Sequence, residues 1–423
     1  MSRGTYADAW PCSCPAGSAK RLHVTIAQLR GKIQNYAWGS HEQLARLMGR
    51  EQPAAEPEAE LWFGAHPVAP SAVLATGEQL DGLIARDARA QLGDFTLERF
   101  GRLPFLLKVL AVEQPLSIQA HPSSEQARAG YLRERAQGLS YADPKANYRD
   151  DWPKPELLCP LTRFDALCGF RPADRLSRLF DILGGDCFSR ARQVLRDEPA
   201  PAALRHLVSS WLGAQGEQRV SLVGAGLAAC EAARDRDDQA GEDARLALRL
   251  SELYPNDPGV LVALTLEHLH LEPGQGLFVP AGVMHAYLGG MAVEVMASSD
   301  NVLRGGLTQK HVDVPELVSL LRFAPSPPHV VQLTATDGLE QHYRVDVPHF
   351  RVSRIQVEGY RDWCAAARVG PEMIICVAGR ISVIGAAAES LALNPGDCAW
   401  IDAAEDVYCA TGQGCIYRVQ VGL

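Results

Sequence analysis

The chain has 423 residues, of which 47% are hydrophobic and 22% charged, the make-up of an ordinary globular protein with room for two or three domains. A net charge of −9 and a pI of about 5.8 argue against nucleic acid or an anionic membrane as the main partner. No apolar run approaches the roughly 20 residues needed to span a bilayer, and residues 1–21 lack the apolar core of a secretory signal, so they read as a poorly ordered extension.

From residue 22 to about 167 short apolar runs alternate with Gly, Pro and Asn turns. The strand pattern is best at Leu103 to Val112 and at Glu156 to Pro160. Within the first, Lys108 is either buried with a partner or on an edge strand in solvent. Leu116-Ser117-Ile118 continues that strand, and alternation puts Ser117, Gln119 and His121 on one face before Pro122 ends it. A polar trio at a strand end points to ligands more than a lone histidine would. Lys154 and Glu156 are two apart between prolines that hold the segment extended, so they share a face.

Helix dominates from Asp174 to Tyr254. Leu176, Leu179, Phe180 and Leu183 follow helical spacing after a candidate cap at Asp174, and Leu204, Leu207, Val208, Trp211 and Leu212 do the same. Pro255 to Gly259 breaks this block, and strand character returns from Val260 to Met296. Within it, the turn Pro280-Ala281-Gly282 delivers His285, the strongest single ligand candidate. A rival, His268-x-His270 with Glu272, reads better as an exposed strand face. Glu294 interrupts the apolar run Met291 to Met296. Arg304 stands beside two glycines, and with Lys310 and Lys154 it could neutralise a phosphate dianion, though each alone reads better as a solvated loop residue. A helix over Val314 to Arg322 and a Pro-rich linker at 325–328 lead to a strand-rich tail, where Pro395-Gly396-Asp397 echoes Pro273-Gly274-Gln275. A second barrel is expected there, without a counterpart of the His285 turn and so without a metal.

The eleven cysteines show no pairing pattern. Cys12 and Cys14 lack nearby partners for a structural zinc, and Cys159, Cys168 and Cys376 read as small core residues, which suggests a reducing cytoplasm.

Taken together, Gln34 to Gly39, Glu60 to Pro67, Leu116 to Pro122, Asn147 to Pro172, Gly276 to Gly290 and Glu294 to Lys310 resemble, in order, the motifs of the type I phosphomannose isomerases. The resemblance implies a mainly β protein with a helical insertion. Its catalytic core would be a cupin-type jelly roll (22–172 and 256–324), its helical insertion 173–255, and a second, metal-free jelly roll 325–423. It implies one zinc per chain on Gln119, His121, Glu156 and His285, with Arg304 as the catalytic arginine and Lys154, Lys310, Lys108 and Ser117 around the substrate. It also implies a monomer that interconverts mannose-6-phosphate and fructose-6-phosphate through a cis-enediol, a reaction used in GDP-mannose biosynthesis among other pathways. Glu294, Asp300 and Lys154 are the candidate bases. Two positions depart from the family: Pro153 stands where many members have a histidine considered for proton transfer, and Gln309 replaces a proline. Pro153 leaves a catalytically silent sugar-phosphate-binding relative as one alternative. His121, His285 and Glu156 alone would also suit an iron dioxygenase, against which Gln119 and the Lys/Arg set argue.

Overall fold

The computed structural model describes residues 25–325, 327–335, 338–365 and 368–423, so the expected extension 1–21 lies outside the described residues. The strand Phe105–Val112 is buried at every position because it is central, between Glu60–Phe63 and His285–Ala297. The edge-strand alternative for Lys108 therefore fails. Beyond His285–Ala297 this antiparallel sheet continues through Glu156–Pro160 and Gln275–Val279 to His329–Ala335.

A second sheet joins Leu303–Arg304, Gln119–Ala120, the start of His285–Ala297, Phe164–Phe170 and Leu266–Leu271. His285–Ala297 serves both sheets and changes over at Gly289 and Gly290. Gly290 has φ 120°, and a Cβ there would lie 2.6 Å from the Arg163 carbonyl oxygen. This bend folds the two sheets face to face as a jelly roll. Gly290→Ala is expected to cost about 2 kcal/mol, from a disfavoured backbone and that clash. Denaturant unfolding checks it, with Gly289→Ala, which meets only the Val112 carbonyl oxygen at 4.0 Å, as the mild control.

The helical block spans Ala173–Leu183 to Gln239–Leu253, and the leucines and aromatics expected at its core are buried. It packs on the outer face of the second sheet, sharing one core with Leu167 and Ala286. Arg171, just after Phe164–Phe170, grips Asp243 of helix Gln239–Leu253 at 2.5 and 2.6 Å. Two expectations change. Pro172, not Asp174, occupies the N-cap, and Asp174 lies in the first turn, where its charge still suits the helix dipole. Val260 begins no strand: Gly259–Ala263 is a helical turn, its first N–H capped by Asp257 Oδ1 at 2.7 Å, and the strand starts at Leu266. A short, fully apolar run does not distinguish buried helix from buried strand.

The tail forms the second jelly roll. Its longest strand, Glu372–Gly385, passes a bulge at Cys376–Ala378 and pairs with Tyr408–Gln420. Two strands link the rolls: Ile26–Arg30 pairs with Cys398–Ile401, and His329–Ala335 pairs with both Gln275–Val279 and Glu340–Tyr343. Cys159, Cys168 and Cys376 are buried and free, whereas Cys364 and Cys409, cross-strand neighbours, form a disulfide. No helix among the described residues is long and apolar enough to cross a membrane.

Candidate metal centre and active site

Three segments bring His121, Glu156 and His285 together, with donor atoms within 4.8 Å of one another. Gln119–Ala120 pairs with His285, which places His121 just beyond it. The turn before His285 uses Gly282 at φ 76°, and its N–H donates to the His121 carbonyl at 2.8 Å, tying the two ligand loops together. Glu156 opens its strand opposite both Val279 and Met296. His121 Nδ1 donates to the Asn301 carbonyl at 2.7 Å and His285 Nδ1 to that of Val283 at 3.1 Å. Each Nε2 is thereby left as a bare lone pair, aimed at Glu156 from 3.1 and 3.4 Å, buried and without a hydrogen-bond partner. Burial pushes His121 down to about 4, so the ring is neutral, the form that ligates. Two lone pairs and a carboxylate converging in a buried space repel one another unless a cation joins them; the donor set fits a divalent ion.

Gln119 is the cross-strand partner of His285 on one side and Arg304 on the other, so all three share a face. Ile118 and Ala120 point the other way, into the helix-facing core, while Ser117 and Gln119 are half-buried. The segment 113–118 is irregular, so the strand expected through Ser117 does not continue there and Ser117 lies in a loop. Lys154 Nζ lies 3.2 Å from Glu156 Oε1, and Tyr287 donates to Glu156 Oε2 at 3.1 Å.

Lys108, 6% exposed, contacts Glu294 at 3.2 Å and Glu60 at 3.8 Å, with its ammonium over the Trp62 ring. Burial opposes its charge, but Glu60 and Glu294 outweigh burial and hold its pKa above the usual lysine value. Burial also raises the Glu294 carboxyl, and Lys108 pulls against that rise. Asp300 is held by His66 Nε2 at 3.1 Å and by the Tyr141 hydroxyl beside a cavity of about 300 Å³. Burial would raise its carboxyl, yet His66 and Tyr141 keep it below the usual range.

Arg304 and Lys310 form no ion pair among the described residues; burial depresses both, and Arg149 adds like-charge repulsion to each. The third member of the basic group is thus Arg149, while Lys154 sits at Glu156. Sequence reasoning passed over Arg149, His66 and Tyr287. Asn301 joins these parts. Besides its carbonyl on His121, its side chain accepts from Arg149 N at 2.7 Å and donates to the Asp150 and Trp152 carbonyls, each at 2.8 Å. Asn301→Ala is expected to cost about 3 kcal/mol in thermal unfolding, from buried backbone groups left unpaired. Metal affinity should fall about 10–100-fold as the loop that presents the Asn301 carbonyl to His121 loses its side-chain anchors, read by a competing chelator.

A double jelly roll with two buried histidines and a carboxylate converging in one roll defines a metal-dependent cupin. Residues 26–173 match the family described as phosphomannose isomerase type I, catalytic domain. The mannose-6-phosphate isomerase of Escherichia coli K12 is 36% identical over 93% of this chain and 99% of its own length. That of Homo sapiens is 35% identical over 77% of this chain and 81% of its own. A zinc-bound crystal structure of mannose 6-phosphate isomerase superposes with a TM-score of 0.86 at 35% identity, covering 95% of this chain and 100% of the other. The chain belongs to the type I phosphomannose isomerase family.

Proposed function

We infer that this protein interconverts mannose-6-phosphate and fructose-6-phosphate, with one zinc held by Gln119, His121, Glu156 and His285. The observation that carries this is the pair of buried, partnerless Nε2 atoms converging with Glu156, on the same sheet face as an arginine that no carboxylate among the described residues neutralises. When bound, zinc supplies Lewis-acid polarisation of the substrate carbonyl.

The chain's own groups do the rest. Lys310 and Arg149 attract the phosphate dianion. Arg304, opposite Gln119 and so beside the ligands, stabilises the charge that develops on the enediolate oxygen. Glu294, held in place by Lys108, takes the proton from C2 of the aldose and returns it to C1. Asp300 is less suited, because His66 and Tyr141 already occupy its carboxylate, and Lys154 is engaged with Glu156. Pro153 needs no substitute in this scheme. The scheme goes with a catalytic unit of 22–172 and 256–324, a helical insertion of 173–255, a C-terminal unit of 325–423, and a cytoplasmic monomer.

A coupled assay for fructose-6-phosphate from mannose-6-phosphate tests it. Turnover is expected. Binding of mannose-6-phosphate without turnover would replace it with a silent sugar-phosphate-binding protein.

A further inference from the structure

We propose that Glu242, His268 and His270 form a second divalent-cation site, where the helical block meets the outer face of the second sheet. His268 and His270 are two apart on Leu266–Leu271 and share a face, with ring centroids 4.6 Å apart. Their cross-strand partners are Leu167 and Asp165. Leu167 in turn faces Ala286, and both belong to the helix-facing core, whereas His285 pairs with Cys168 on the barrel side. The two His/Glu clusters therefore sit back to back across one sheet and share no residue.

The sequence suggests an exposed strand face here, which holds for His270 but not for the His268 side chain. The His268 side chain is 5% exposed, and neither of its ring nitrogens has a hydrogen-bond partner. A buried imidazole with both nitrogens unused, set against a carboxylate, is a ligand lacking its ion. Glu242, from the first turn of Gln239–Leu253, supplies that carboxylate: Oε1 lies 2.6 Å from His270 Nε2 and 3.9 Å from His268 Nδ1. Glu272, the partner suggested by strand spacing, is not in the cluster.

Asp165 completes the arrangement. It holds His270 Nδ1 at 2.7 Å, which directs the other nitrogen, Nε2, toward Glu242 and the centre. A carboxylate behind a ligating histidine is the usual support of a metal site. The three donor atoms lie within 4.8 Å of one another. Tetrahedral zinc, with Zn–N near 2.0–2.1 Å, asks for roughly 3.4 Å between donors, so on binding His268 moves in from 3.9 Å while the 2.6 Å His270–Glu242 hydrogen bond opens and its proton gives way to the ion. The side chains of His270 and Glu242 are about one third exposed, which leaves a coordination position open to water. Two imidazoles and a carboxylate suit zinc and the later first-row divalent ions over magnesium or calcium. Bound there, the ion ties the helical block to strands of the catalytic roll, next to the Arg171–Asp243 pair.

The test is zinc stoichiometry. Untagged protein is stripped with a chelator, titrated with zinc chloride, passed over a desalting column and assayed for metal by elemental mass spectrometry. The unaltered protein is expected to retain two zinc ions per chain. His268→Ala and Glu242→Gln are each expected to retain one, with isomerase turnover unchanged. If His268→Ala does not fold, Glu242→Gln is read alone, since Glu242 is partly exposed and its glutamine keeps the shape. One ion in the unaltered protein, or two in either folded variant, overturns the site.

Discussion

His285→Ala is expected to leave a folded protein that retains no zinc in the catalytic roll and turns over mannose-6-phosphate about a thousandfold more slowly. His285 is fully buried, its Nδ1 is committed to the Val283 carbonyl, and its Nε2 faces Glu156, so metal ligation is the role left to it. Losing Lewis-acid polarisation of the carbonyl removes several kcal/mol of transition-state stabilisation, and about 4 kcal/mol corresponds to a factor near 10³. The ring lies 5.0 Å from His121 and 5.6 Å from Tyr287, so its removal also opens a gap between them. His285→Gln, which refills much of that gap with one weaker oxygen donor, should regain part of the zinc affinity. Elemental analysis of the desalted protein beside the coupled assay reads both effects. A His285→Ala protein with full zinc at this centre and near-normal kcat would remove His285 from the ligand set.

The second large effect is expected at Arg304. Arg304→Ala should lower kcat by about 10²–10³, the range seen when one preorganised donor to a developing oxyanion is lost, while zinc content stays unchanged. The register pairs Arg304 with Gln119 and not with a carboxylate, and its charge persists although burial and Arg149 both oppose it. A cation kept at that cost belongs to an anion that arrives from outside. Lys310→Ala offers the contrast. Lys310 is farther along the loop, and a group that binds the phosphate equally in substrate and transition state should raise KM and spare kcat. Arg304→Lys should recover little, because an ammonium does not reproduce the guanidinium fork. Equal losses of kcat in Arg304→Ala and Lys310→Ala would contradict the division of roles.

Much of the metal centre is legible along the chain because its signals are local. A Pro-x-Gly turn delivers His285, and flanking prolines hold Lys154 and Glu156 on one face, whereas the strand alternation read through Ser117 fails because that segment is irregular. The partners of these groups are not local. Whether Lys108 lies inside or at an edge depends on Glu60 and Glu294, which reach it only once Glu60–Phe63 and His285–Ala297 have flanked its strand. Arg149 joins Arg304 because Asn301 holds its loop, a contact between distant segments that no periodicity announces. The same limit hid Cys364–Cys409, which strand register brings together, and the burial of His268, which Glu242 and the helical block create. Secondary-structure errors were of a different kind. The run Val260 to Ala263 is apolar throughout and lacks a period to read.

The most direct measurement is turnover of mannose-6-phosphate during zinc titration of metal-stripped protein. The account predicts negligible activity at the start, a linear rise, and a plateau at one zinc per chain, even where the protein goes on to bind a second ion at His268 and His270. Full turnover by the stripped protein, or none at any zinc level, would contradict a zinc-centred isomerase.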